Sequence, residues 1–344
     1  IVFANKDLKH VFIPSTIKFI MSYAFYNCTH LESVEFSDDI KIETFEEGTF
    51  ERCIQLSSIK IPSTIKYIES RCFFSCNQLK TFEIHPDSQL LSIGAHTFFQ
   101  NQIKNLFLPS KFETLSYYWQ NQLEFLVNIT ISPENKHFKY LDDEHKIIIG
   151  KYESSNDFDV IVFACHDIKK AFIPSYIKYI SPNAFNLCKN LVEIEFDKNS
   201  ELNLINKYSF VGTPLKKISI PSSVSKIESR SFSYCLDLRY VEFKYNSELV
   251  SIEKEAFFSN SIENLSFPKS LKKLGVKAFA SCQDLLSAEF FGDDLYIGQL
   301  CFGRCEKLFV MSFPNAIKIS YASDSFKSVS ADFALFVCPS TQMI

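Results

Sequence analysis

One pattern returns from one end of the chain to the other and constrains its fold more than any other feature. It reads Leu-x-x-Ile-x-Ile-Pro-x-x-Ile-x-x-Ile, then a small residue, Phe, two residues and Cys, as in Leu56–Gln78, LSSIKIPSTIKYIESRCFFSCNQ. Copies open at Leu8, Leu31, Leu56, Leu79, Ile103, Leu123, Ile168, Leu191, Leu215, Leu238, Ile262, Leu285 and Leu308, most of them 23 to 25 residues apart. A unit this short cannot bury its apolar side chains alone. Stacked copies can, because each covers its neighbour and the core grows lengthwise.

Within a copy, Ile59 and Ile61, or Val241 and Phe243, alternate with period two and predict a short strand. Pro62, Pro109, Pro174, Pro221, Pro268 and Pro314 close that strand, since proline cannot donate to a ladder. Ile65 and Ile68, then Phe73 and Cys76, lie three to five apart and predict a turn followed by one or two helical turns on the opposite side. Phe is abundant at 36 and Gly scarce at 8, so the turns are expected to avoid positive φ. The expected fold is a right-handed curved solenoid with a concave parallel β-sheet and short helical or irregular convex segments.

The rhythm fails after Leu123. Apolar runs Ile147–Ile149 and Val160–Phe163 flank polar turns there and predict an inserted β-hairpin. Residues 161–196 then replay residues 1–36 at an offset of 160, with 19 of 36 positions identical. The chain begins without Met and reads as a fragment, its first ten residues resembling the tail of another such hairpin. The expected organisation is a first array at 1–127, the hairpin at 128–163, and a second array at 164–344 with a degenerate last copy, all in one continuous solenoid. Its open ends are expected to permit self-association.

Composition narrows the function. A net charge of −4, with 46% hydrophobic and 22% charged residues, belongs to a folded chain and disfavours nucleic acid as a partner. No apolar run approaches the roughly 20 residues of a membrane span. Of 11 cysteines, seven (Cys28, Cys53, Cys76, Cys188, Cys235, Cys282, Cys305) share one repeat position, which Asn101, Thr213 and Asn260 fill elsewhere. A position open to Cys, Asn and Thr predicts an internal row whose side chains meet the backbone of the neighbouring coil. No Cys-x-x-Cys spacing suggests a metal. His137, Asp142, Asp143, Glu144 and His145 cluster in the hairpin without a His-Glu-x-x-His spacing, and no phosphate loop or nucleophile elbow appears. The expectation is a protein without catalytic, metal or cofactor site. Asn27, Asn128 and Asn264 lie in permissive glycosylation triplets.

Geometry supplies the candidate site. The residue between the two inward strand positions should face outward on the concave sheet. It runs Phe12, Glu35, Lys60, Glu83, Phe107 and, past the hairpin, Phe172, Glu195, Ser219, Glu242, Ser266, Glu289. One reading is that Glu solvates an exposed sheet; the other is a ligand groove with Phe anchors and an acidic stripe suited to basic partners.

The motif Leu-x-x-Ile-x-Ile-Pro-x-x-Ile-x-x-Ile-x-x-x-Ala-Phe-x-x-Cys resembles the leucine-rich repeats of the BspA-like, Treponema-type surface proteins, and the spacing suits such repeats. The resemblance implies a leucine-rich-repeat solenoid at the cell surface or outside the cell. It also implies a non-enzymatic role in adhesion, with a host matrix or cell-surface protein as ligand. The alternative on the same repeat is a cytoplasmic scaffold or regulatory interaction module, to which eleven cysteines with no obvious pairing are suited.

Overall fold

The computed structural model describes residues 1, 4–116, 118–119, 123–151, 156–337 and 341–343. The chain divides into two compact units, Ile1–Lys151 and Tyr152–Ile344. Each unit is a parallel stack of coils. Every coil gives a four-residue strand to a broad sheet, and most give a two-residue strand to a narrow sheet on the opposite side.

In the first unit the broad strands are His10–Ile13, Ser33–Phe36, Ser58–Ile61, Thr81–Ile84, Asn105–Leu108 and Asn128–Ile131. They pair two by two, while the narrow strands from Thr44–Phe45 to Thr114–Leu115 form one four-stranded ladder. In the second unit Lys170–Ile173 pairs with Glu193–Phe196, and six strands from Lys217–Ile220 to Ala334–Val337 form one sheet. Between the two sheets lies the core. Leu56, Ile59, Ile61, Ile65, Ile68, Phe73 and Cys76, the defining residues of one repeat, are all buried.

The same residue type stacks on itself from coil to coil. Phe185, Phe210, Phe232, Phe257 and Phe279 form a column with ring centroids 4.9 to 5.1 Å apart and nearly parallel planes. Phe25, Phe50, Phe73 and Phe98 make the equivalent column of the first unit. Each contact adds about 1 kcal/mol to the area already buried.

The arc after the narrow strand departs from expectation: no helix occurs among the described residues. Residues in left-handed conformation recur four apart, at Tyr23 and Asn27, Arg71 and Ser75, Arg230 and Tyr234. They break any run of i→i−4 bonds, and the amides divide in two directions. Ala24, Tyr26 and Cys28 donate three residues back within the coil, whereas Tyr23, Phe25 and Asn27 donate to Glu47, Thr49 and Glu51 of the next coil. The expectation that few Gly means few positive-φ turns is therefore wrong. Only Gly48 and Gly212 are positive-φ glycines, against 22 other described residues, most of them in these arcs. Each non-Gly case costs about 1–2 kcal/mol, and in the arcs the donated inter-coil bond holds it in place.

The cysteine row is internal, as its composition implied. Cys53, Cys76, Cys235, Cys282 and Cys305 point Sγ at the carbonyl of the Phe in the preceding coil at 3.0 to 3.2 Å. Asn101 and Asn260 reach equivalent carbonyls through Nδ2 at 3.0 and 3.1 Å. The ten described cysteines are buried and form no disulfide with one another.

The interrupting stretch holds a smaller hairpin than 128–163. Its antiparallel pair is Phe138–Tyr140 with Ile147–Gly150, whereas Asn128–Ile131 is a rung paired parallel with Asn105–Leu108. Ile129 and Ile131 are buried and Asn128 and Thr130 exposed, the alternation of every other rung; that pattern sets the register. The Tyr140 hydroxyl accepts from Ile131 N and donates to Ile129 O, both at 3.0 Å, which ties the hairpin to the rung. Val160–Ala164, the other predicted arm, pairs parallel with Tyr179–Ile180 in the second unit. Residues 152–155 of the stretch, and 338–340 and 344 of the degenerate last copy, lie outside the described residues. None of the described helices is long and apolar enough to cross a membrane, there being none at all.

Two outcomes follow for stability. A Cβ at Gly48 would collide with the Tyr23 ring, while at Gly212, of similar φ, it meets nothing within 4 Å. Gly212→Ala should therefore cost only the left-handed strain, about 1 kcal/mol, and Gly48→Ala clearly more; urea midpoints of the two variants test the order. Burial, opposed in part by hydrogen bonds, raises the thiol of Cys235 from 9.0 to about 11 and that of Cys282 to about 12. The folded state holds these protons more tightly, so their stabilisation is complete below about pH 9 and is lost as pH rises through 11 and 12. Each costs about 1 kcal/mol per pH unit above the unfolded value. Cys235→Ala with Cys282→Ala should flatten the fall of the unfolding midpoint above pH 9; an equally steep fall would contradict the assignment.

Candidate binding face

Every broad strand alternates in and out, so its first and third residues face away from the core. The third residues are the ones singled out from sequence, and the structure places them opposite one another in pairs on the outer face of each unit. In the first unit Phe12 pairs with Glu35, Lys60 with Glu83, and Phe107 with Thr130. In the second, Phe172 pairs with Glu195, Ser219 with Glu242, and Ser266 with Glu289. Phe12 and Phe172 are 62% and 56% exposed, large values for unpartnered aromatic rings. Glu35, Lys60, Glu83, Glu195, Glu242 and Ser266 are exposed, and Phe107, Ser219 and Glu289 half-buried.

Sequence reasoning missed several members. Thr130 belongs to the row but was assigned to the hairpin; Ser312 and Phe336 extend the second row. The first strand positions share the face. Among them, Lys170 pairs with Glu193 at 2.6 Å, Asn264 Oδ1 accepts from Ser287 Oγ at 2.6 Å, and Tyr240 is 59% exposed. The alternation of the strand signals both positions equally.

Two kinds of coil alternate. Where Pro follows the strand, five residues lead to the narrow strand in five of the six coils that have one, as from Ile61 to Tyr67 or Ile220 to Lys226. Where Glu occupies the third position, seven do so in four of the five coils, as from Phe36 to Thr44 or Phe243 to Ser251. The Pro turns close with a bond back to the proline carbonyl, as from Ile65 and Val224. The longer ones close with side chains: Leu90 N, Leu202 N and Leu249 N donate to Ser88, Ser200 and Ser247 Oγ, each at 3.2 Å. This alternation sets the spacing of the Glu row.

A groove of about 1000 Å³ runs over the second unit from Glu193 to Glu289. Glu242 in it is held below its usual pKa by the Ser219 hydroxyl and by Lys244, whose Nζ lies 3.1 Å from Oε1. Glu193 is lowered by Lys170. Glu195 and Glu289 have no ion-pair partner among the described residues. A smaller groove of about 420 Å³ in the first unit is lined by Lys60, Glu83, Phe107 and Thr130 among others. In the hairpin, Asp142 accepts from the amides of Lys146 and Ile147, and the His145 ring stacks on Tyr140 at 3.9 Å, so these residues build the turn. Among the described residues no group of three or more His, Cys, Asp or Glu is arranged to hold a metal ion.

Parallel coils with one Leu- and Ile-rich strand apiece around a stacked apolar core define a leucine-rich-repeat solenoid. The chain belongs to the BspA type: the profile of the BspA type Leucine rich repeat region (6 copies) matches residues 1–125, 126–239, 156–286 and 203–331. Among solved structures, the pneumococcal vaccine antigen PcpA is similar over 96% of this chain and 79% of its own, with TM-score 0.66 at 19% identity. A leucine-rich repeat protein from Eubacterium ventriosum is similar over 88% and 83%, with TM-score 0.69 at 18% identity. A leucine rich cell surface protein from Faecalibacterium prausnitzii gives 95% and 83%, with TM-score 0.61 at 19% identity. At such identities the likeness is one of fold. No curated protein sequence matches the chain.

Proposed function

We propose that this chain is a non-enzymatic adhesion module at the cell surface that binds a host matrix or cell-surface protein through the exposed face of its broad sheet. The observation that carries the reading is the groove of the second unit, lined by Glu195, by Ser219 opposite Glu242, by Ser266 opposite Glu289, and by an exposed Tyr240. An exposed face that combines an aromatic ring with unpaired carboxylates suits a protein partner carrying positive charge. The family supports a repeat scaffold, and two of the similar structures are named a vaccine antigen and a cell surface protein.

A second reading is favoured by one observation. Ten buried cysteines with no disulfide among them suit a reducing compartment, and hence a cytoplasmic scaffold. The same burial shields thiols from oxidants, so the two readings separate by location: protease added to intact cells should cleave a surface protein and spare a cytoplasmic one.

Binding of the purified chain to host cells and matrix proteins should be saturable and weaken with salt. Replacing Glu195, Glu242 and Glu289 together by Lys should weaken it at least about tenfold, since like charges now meet across the interface. Unchanged binding by a triple variant with an unaltered circular dichroism spectrum would remove this face from the function.

A further inference from the structure

We propose that the groove of the second unit takes an extended basic segment in the polyproline II conformation, with Lys or Arg at every third position, running across the rungs along the stack. This names a ligand class for the face described above and rests on that protein-binding reading. Glu195, Glu242 and Glu289 occupy alternate rungs, with Ser219 and Ser266 between them. Rungs about 4.8 Å apart set Glu242 and Glu289, whose strands lie in one hydrogen-bonded sheet, roughly 9.6 Å apart, and Glu195 lies on the neighbouring strand beyond the edge of that sheet.

Few regular backbones repeat a side chain at that interval. A polyproline II helix has three residues per turn and rises about 3.1 Å per residue, so every third side chain returns to the same side after about 9.3 Å. Over two intervals it drifts from the carboxylates by only about 0.6 Å. A β-strand presents one face every second residue, about 6.7 Å, which matches neither one rung nor two. An α-helix returns after seven residues and about 10.5 Å, and slips nearly 2 Å over the same two intervals.

The remaining chemistry of the groove agrees. A polyproline II backbone makes no internal hydrogen bonds, and the exposed Ser266 offers a hydroxyl between Glu242 and Glu289. Tyr240, 59% exposed, presents a ring of the kind on which proline packs. Acidic residues outnumber basic ones in the lining by five to three. Glu195 and Glu289 have no ion-pair partner among the described residues, and the Glu242–Lys244 pair is exposed on both sides, so a ligand cation can displace it cheaply. The first unit keeps the two-rung period but has only two carboxylates in its row, Glu35 and Glu83, with the cationic Lys60 between them and Phe107 after them.

Three fluorescent nonapeptides of equal composition test the proposal against the whole chain. Each holds three Lys and six Pro, with Lys at every third position, at every second position, or in one block. Anisotropy at low salt should show the period-three peptide binding about tenfold tighter than the others, because only it meets all three carboxylates. That advantage should vanish in Glu195→Gln/Glu242→Gln/Glu289→Gln, whose fold is checked by circular dichroism. Equal affinity for all three peptides, weakened by the Gln variant, overturns the polyproline II register and leaves the acidic face as a binding surface. No peptide binding, with protein binding still lost on charge reversal, does the same. Affinities unmoved by the Gln variant overturn both the register and the face.

Discussion

The structure depends on hydrogen bonds that run from one coil to the next. In the turn-rich arc every second amide leaves its own coil, as Tyr23, Phe25 and Asn27 do toward Glu47, Thr49 and Glu51. The thiols and amides of the internal row add a side-chain bond in the opposite direction, to the preceding coil. A coil of 23 to 25 residues has too little surface to fold alone. Once a neighbour accepts these bonds, the left-handed residues, the stacked Phe rings and the sheet register are settled together, and each coil becomes the template for the next.

That dependence explains which changes a coil tolerates. The internal row accepts Cys, Asn or Thr because the requirement is a short side chain able to donate toward a buried carbonyl, with no need for thiol chemistry. Burial raises the thiols well above their ordinary range, chiefly by denying the thiolate solvent. The Phe columns are less permissive, since each ring fills space between two identical neighbours. Residues on the exposed face of the broad sheet carry none of these duties, which leaves their identities open to selection by a partner.

The two-coil alternation links the scaffold to the candidate site. Pro closes the strand in one coil and a Ser-capped longer turn closes it in the next. Glu appears at the outward position only in the second kind. The scaffold's own period thus becomes a spacing of charge along the groove, and a ligand that matches it needs a backbone with a compatible repeat.

Much of this was legible from the chain alone. Period-two strands, buried Leu, Ile and Phe, the internal cysteine row and the outward row from Phe12 to Glu289 all follow from local alternation, which tertiary contacts reinforce and do not alter. The exposed first strand positions were legible by the same rule, though only the third positions were singled out. Three things were decided by the tertiary structure. The arc of Tyr23 to Asn27 is left-handed turn and not helix, because amides of the arc bond to the next coil, and a spacing of three to five cannot reveal where an amide points. Asn128–Ile131 is a rung and not a hairpin arm, because its partner is Asn105–Leu108. The Glu row acquires neighbours of its own, Lys244 beside Glu242 and Ser219 across the ladder, because register is a property of two coils and no single repeat contains it.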